Sequence, residues 1–158
     1  LKGHIAVASF KLNKNSYGDK IDQSARKFLR DINLDYPHGT GHGVGYFGNV
    51  HEGPQAISRG NKVKFKEGMI TSNEPGYYKK GHFGIRIENL VYVKRTKNKL
   101  KFEDLTLVPI DKTLIEKKLL TSSERHWLNK YHQRVFVCLK KYMNKLELTQ
   151  LKLACSDI

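Results

Sequence analysis

Cysteine is scarce: Cys138 and Cys155 are the only two in 158 residues. They lie apart with no CxxC spacing, so neither a disulfide framework nor a zinc finger is encoded, and a reducing compartment fits. Long apolar runs are absent. None approaches the roughly 18 residues of a membrane-spanning helix. A GK[ST] phosphate loop is missing, as is a glycine-rich cradle leading from a strand into a helix, which excludes the common nucleotide-binding designs. Acidic residues are few, 15 Asp and Glu against 29 Lys and Arg, for a net charge of +14. That excess raises nucleic-acid binding as a reading. The lysines, however, are scattered through stretches such as "GNKVKFKEG" and "KRTKNKLKFED", the pattern of a solvated surface. The opening "LKGHIAV" carries neither Met nor signal peptide and reads as a cut-out piece, which leaves targeting undefined.

Glycine and histidine are plentiful in one place. "HGTGHGVGYFGNVHEGP" runs from His38 to Pro54, with glycine at 39, 41, 43 and 45. Each glycine costs a helix about 1 kcal/mol, so the stretch predicts a strand. Its glycine face admits a close neighbouring backbone, while His38, Thr40 and His42 share the other face. "HEGP" resembles the start of HExxH, but Gly53 and Pro54 break the helix that motif needs. On these residues alone, a structural histidine pair and a functional site both remain open.

Around this stretch the periodicity predicts an α+β chain. Residues 1–10 read as the end of a helix or a buried segment. "GDKIDQSARKFLRDIN" predicts a helix with Ile21, Ala25, Phe28, Leu29 and Ile32 on its inner face. "GMITSNEPGYY" and "HFGIRIENLVYVKR" predict two strands joined by "KKG", and "KLKFEDLTLVPI" predicts a third. Thr121 and Glu124 form a capping-box pattern. The helix after them aligns Trp127, Tyr131, Cys138 and Tyr142, with Val135 on the same stripe. "LELTQLKLACSDI" predicts a last helix. The expected boundaries are 1–110 for the sheet-bearing part and 111–158 for a helical extension of the same domain.

Two carboxylates belong with the histidines. Glu74 precedes Pro75, which favours an extended backbone there. Glu88 lies in a strand pattern where Arg86 and Glu88 share a face. An imidazole with two strand-borne carboxylates suits Mn, Fe, Co or Zn, and bridging carboxylates allow two ions. A turn carboxylate at Glu74 and an Arg86–Glu88 surface pair are the plain alternatives.

Taken in order, "HGTGHGVG…NVHEGP", "NEPGYY" and "FGIRIENLVYV" resemble the X-prolyl aminopeptidases of the methionine aminopeptidase, prolidase and creatinase superfamily, most closely the eukaryotic cytosolic type. The likeness extends to "LKGHIAV", "LTLVPI" and "WLNKYH". It implies a partial pita-bread fold: a curved, mostly antiparallel sheet with covering helices. It implies His42, Glu74 and Glu88 as ligands of two divalent ions, Mn2+ by family habit, with Glu88 bridging and Arg86 holding carboxylates in place. It implies His38, His42 and His51 in substrate binding. Catalysis falls to Glu74, which takes the proton of a metal-activated water, and His51, which stabilises the oxyanion. Two Asp ligands and a further substrate histidine are expected upstream of Leu1, so the chain alone is expected to be inactive. The parent is expected to be a cytoplasmic homodimer that removes the first residue from peptides with proline second. Prolidase, methionine aminopeptidase and a non-catalytic peptide- or nucleic-acid-binding module are the alternatives.

Overall fold

The computed structural model describes all of residues 1–158. Helices and strands mix in an α+β order, and every strand pair is antiparallel. The chain divides into two compact units, Leu1–Thr106 and Leu107–Ile158, so the division precedes the boundary after residue 110 read from sequence.

The first unit opens with α1 (Lys2–Ala8) against α2 (Gly18–Arg30). Gly3 permits the contact, because a Cβ there would stand 2.6 Å from the Ala25 carbonyl oxygen. The inner face of α2 differs from the expected apolar stripe. Ile21 and Ala25 are buried, but so are Gly18, Asp22 and Arg26. Phe28 and Leu29 are half-buried, and Ile32 is 61% exposed. The helix stops at Arg30 and Asn33 takes a left-handed φ of 59°, which carries Ile32 off the stripe. Asp22 and Arg26 can enter the interior because they are one turn apart and pair with each other at 2.8 Å.

Seven short strands follow: β1 (Gly41–His42), β2 (Ala56–Ile57), β3 (Ile70–Asn73), β4 (Gly76–Lys79), β5 (Phe83–Arg86), β6 (Asn89–Thr96) and β7 (Lys99–Asp104). They form three small sheets, β1-β2, β3-β6-β7 and β4-β5, instead of one continuous sheet. The two long strands expected over 68–95 are each broken once. Asn73 pairs with Asn89 in one ladder and Gly76 with Arg86 in the next, so Glu74-Pro75 and Ile87-Glu88 face the same gap. Pro75 has no N–H for a ladder, which accounts for the break on the first arm. The turn after β4 uses Gly81 at φ +76°, as "KKG" predicts. Val7, Leu12, Ile21, Ala25, Ile57, Phe65, Val91, Val93 and Phe102 form the apolar core.

The second unit holds α3 (Ser122–Leu139) and α4 (Lys145–Ala154). Both start with complete capping boxes, Thr121 with Glu124 and Asn144 with Glu147. The buried line of α3 is Leu128, Tyr131, His132 and Val135. Trp127 and Cys138 are only half-buried, and Tyr142 lies past the helix end at 69% exposure. Polar bonding rotates the face from the expected one. The Tyr131 hydroxyl donates to the Val108 carbonyl at 2.9 Å, and His132 Nε2 accepts from the Ile110 N–H at 3.1 Å.

Candidate metal centre

Close backbone packing places the first ligand. A Cβ on Gly41 would lie 2.0 Å from the Ser72 carbonyl oxygen, and one on Gly43 would lie 2.0 Å from that of Glu52. Glycine at 41 lets β1 lie against β3, and glycine at 43 lets the segment of Glu52 and Gln55 close over the strand end. The other two glycines differ: Gly39 meets nothing nearer than 3.4 Å, and Gly45 meets only side chains, those of Glu52 at 2.5 Å and Asn49 at 3.1 Å. The strand itself spans residues 41 and 42 alone, and the chain then turns into a loop, with the Gly45 N–H donating to the Asn49 carbonyl at 2.7 Å. β3 side chains pin His42 from both sides of its peptide. The His42 N–H donates to Ser72 Oγ at 2.9 Å, and Thr71 Oγ1 donates to the His42 carbonyl at 2.7 Å.

One ligand atom from each of His42, Glu74 and Glu88 lies within 4.8 Å of the other two. His42 Nε2 is 3.4 Å from Glu74 Oε1. His42 Nδ1 donates to the Gly43 carbonyl at 3.0 Å, which leaves Nε2 turned towards the carboxylates. Glu74 is 8% exposed, and its Oε1 accepts from Ser72 Oγ at 2.9 Å. Its N–H donates to the Thr40 carbonyl at 2.8 Å. Glu88 is exposed. Two carboxylates that converge repel one another, and a cation between them relieves that repulsion. Hard oxygen donors with one imidazole fit a divalent ion.

The other sequence candidates surround this trio unequally. The His51 ring centroid is 4.2 Å from that of His42, at 62° to it, on the loop after β1. Arg86 Nη1 lies 3.4 Å from Glu74 Oε2. Its guanidinium is held further above its ordinary range by its bond to Tyr78, then by the charges of Glu74 and Glu88. His38 stands apart from the trio. Its Nδ1 donates to the Gly39 carbonyl at 2.7 Å and its Nε2 accepts from the Tyr78 hydroxyl at 2.7 Å. That hydroxyl oxygen in turn accepts from Arg86 Nε at 2.8 Å, so His38 reaches Glu74 through Tyr78 and Arg86.

Sequence reasoning missed the polar groups beneath. Arg26 donates to Asp22, to Asp35 at 2.7 Å, to the Tyr36 carbonyl at 2.8 Å and to the His38 carbonyl. Asp22 accepts from Thr40 Oγ1 at 2.6 Å, and the Tyr36 hydroxyl bonds the same Thr40. This network fixes the backbone that leads into His42. Ser72 links His42 to Glu74 directly. The available signal was the i, i+4 pair Asp22/Arg26 on the inner side of a helix, and the run of small polar residues "TSN" ahead of Glu74.

A sequence model of metallopeptidase family M24 matches residues 1–95. The chain belongs to that family. A second model, for the C-terminal region of M24 peptidases, matches residues 98–158. Among M24 relatives, the probable Xaa-Pro aminopeptidase P of Botryotinia fuckeliana is 46% identical over 162 residues, covering 94% of this chain and 24% of that protein. The crystal structure of X-prolyl aminopeptidase from Caenorhabditis elegans, described as a cytosolic enzyme with a di-nuclear active site, matches 99% of this chain with a TM-score of 0.91 and 40% identity. This chain covers 27% of it. Recombinant prolidase from Thermococcus sibiricus matches 63% of this chain, and 26% of its own, with a TM-score of 0.52 and 35% identity. The chain therefore spans about a quarter of the length of the relatives it matches, and its α+β arrangement is part of the pita-bread fold.

Proposed function

We propose that this M24 chain forms the C-terminal part of an Xaa-Pro aminopeptidase catalytic domain. In that role His42, Glu74 and Glu88 hold divalent ions; the donors suit Mn, Fe, Co or Zn, and the likeness to the X-prolyl aminopeptidases favours Mn2+. The observation that carries this is the convergence of those three side chains within 4.8 Å across the broken hairpin. The X-prolyl aminopeptidase likeness, which extends over 99% of the chain, supports the choice of substrate class. The active species in this reading is a chain of the relatives' length, of which these 158 residues are about a quarter.

When bound, the ions supply Lewis acidity to a carbonyl oxygen and acidify water near neutral pH. The rest falls to side chains. Glu74, its Oε1 steadied by Ser72 and its Oε2 by Arg86, accepts the proton of the attacking water. His51, exposed beside His42, donates a hydrogen bond to the scissile carbonyl oxygen as charge builds on it. His38, fixed through Tyr78, lines the substrate pocket. The bond broken joins the first residue to the nitrogen of a following proline. The parent acts as a cytoplasmic homodimer. Support comes from the cytosolic relative and from exposed apolar residues in the second unit, Val137 at 54% and Leu153 at 75%. No helix is long and apolar enough to cross a membrane, and the scattered lysines give no support to nucleic acid as a partner.

Metal content and rate measured together test the assignment. In the parent, Glu88→Ala is expected to lose bound Mn2+ and all hydrolysis of an Xaa-Pro peptide. His51→Ala is expected to keep the metal and lose about 10²–10³ in kcat, the usual effect of removing a transition-state donor. Equal metal loss in both variants would contradict these roles.

A further inference from the structure

His4 is 0% exposed, although it belongs to the first turn of the first helix. Gly3 brings it inward: a Cβ at Gly3 would meet the Ala25 carbonyl oxygen at 2.6 Å and Pro75 Cβ at 3.5 Å. The His4 ring Nδ1 lies 3.2 Å from the Asn73 carbonyl oxygen. The Asn73 amide returns the bond, Nδ2 donating to the His4 carbonyl at 3.0 Å. The ring's other nitrogen, Nε2, is buried with no hydrogen-bond partner, so the ring is anchored at the Asn73 carbonyl. Asn73 directly precedes Glu74, and Ile87 directly precedes Glu88. Here the cross-strand ladder is interrupted, between the Asn73–Asn89 pair and the Gly76–Arg86 pair. The first arm needs another tie at this level, and the reciprocal pair of bonds between His4 and Asn73 supplies it.

We propose that His4 is a positioning residue for the metal centre: by binding Asn73 to α1, it fixes where the backbone presents Glu74 to His42 and Glu88. This rests on the reading of His42, Glu74 and Glu88 as ligands. Burial pushes the ring down to about 4, so near neutral pH it is an uncharged dipole that adds no positive charge beside a cation site. The simpler alternative is a ring that only fills space in the core. Shape and hydrogen bonding separate the two. Leucine at position 4 fills the volume without a donor, whereas asparagine places an N–H near where Nδ1 now stands.

The test uses the parent chain with Co2+ as the probe. Affinity is read by chelator competition, ligand geometry by the visible ligand-field bands, and folding by thermal melting. His4→Leu is expected to weaken Co2+ binding about 10–100-fold, as is usual for groups that orient ligands, and to shift the bands. His4→Asn is expected to recover most of the affinity. A folded His4→Leu with parental affinity and spectrum overturns the proposal, as does equal weakening in both variants. If His4→Leu does not fold, His4→Asn decides: parental affinity supports the proposal, and a tenfold loss overturns it. A parent that binds no Co2+ fails the ligand reading and this proposal together. A parent that binds Co2+ alongside an unaffected His4→Leu fails this proposal alone.

Discussion

Arg26 shows how much of the site depends on a residue far from any ligand. It is 6% exposed, its partner Asp22 is 1% exposed, and between them they hold the carbonyls and hydroxyls of residues 36–40. Removing one member of a buried pair strands the other charge. Arg26→Met is therefore expected to destabilise the protein by about 3–5 kcal/mol, and pairing it with Asp22→Asn should restore part of the loss. Chemical denaturation of the parent and the single and double variants checks this. A single variant no less stable than the parent would contradict the reading. The buried histidines act through protons. His4 is depressed to about 4, chiefly by burial, and His132 is lowered too, first by burial and then by the Lys112 charge. Unfolded histidine titrates near 6.5, so between about 6.5 and 4 the unfolded chain binds a proton that the folded chain refuses. Stability is fully present above that window and falls on acidification through it, by up to about 1.4 kcal/mol per pH unit for His4. Denaturant midpoints at pH 7.5, 5.5 and 4.5 should fall in that order. A rise would reverse the sign.

At the scale of elements, the hairpin of β4 and β5 and the short strand β1 do the positioning. The hairpin supports the site by being interrupted: both arms leave their ladders at the same level, and each interruption carries a carboxylate. β1 contributes closeness. Gly41→Ala would press a methyl group to 2.0 Å from the Ser72 carbonyl oxygen, on the residue that bonds both His42 and Glu74. Overpacking of this kind costs about 1–3 kcal/mol or more, and here it should weaken metal binding as well. Gly39→Ala, whose added Cβ would come no nearer than 3.4 Å to anything, is the matched control and is expected to be close to neutral. Thermal melts and metal titrations of both variants decide. Equal behaviour would show that the strand tolerates separation from β3.

For the whole molecule, the two units carry different tasks. The first, Leu1–Thr106, contains the proposed ligands His42, Glu74 and Glu88. The second, Leu107–Ile158, leaves Val137, Tyr142, Leu146 and Leu153 more than half exposed, a cost in apolar surface that association would relieve. Sedimentation of the parent is expected to show a dimer, shifted towards monomer by a Val137→Glu, Leu153→Glu double substitution. An unchanged sedimentation coefficient would remove this surface as the subunit contact.

Local chemistry was legible in the sequence because it depends on neighbours along the chain. The Thr121–Glu124 capping box, the Gly81 turn, the strand pattern of "HFGIRIENLVYVKR" and the α+β order all follow from residues a few positions apart. The motifs around His42, Glu74 and Glu88 pointed to one chemistry, but their convergence depends on strand pairing across 30 to 46 positions of chain, from 42 to 72 and from 42 to 88. Tertiary structure decided three further matters. It broke the two long strands at the carboxylates, since a prolyl nitrogen cannot serve a ladder. It turned α2 so that a mutually satisfied Asp22–Arg26 pair took inner-face positions, and it ended the helix at Arg30, before Ile32. It rotated α3 towards His132 and Tyr131, because the backbone at Val108 and Ile110 needed hydrogen-bond partners. A hydrophobic period registers none of these, for it counts apolar side chains and is blind to a buried polar group whose partner lies elsewhere in the chain.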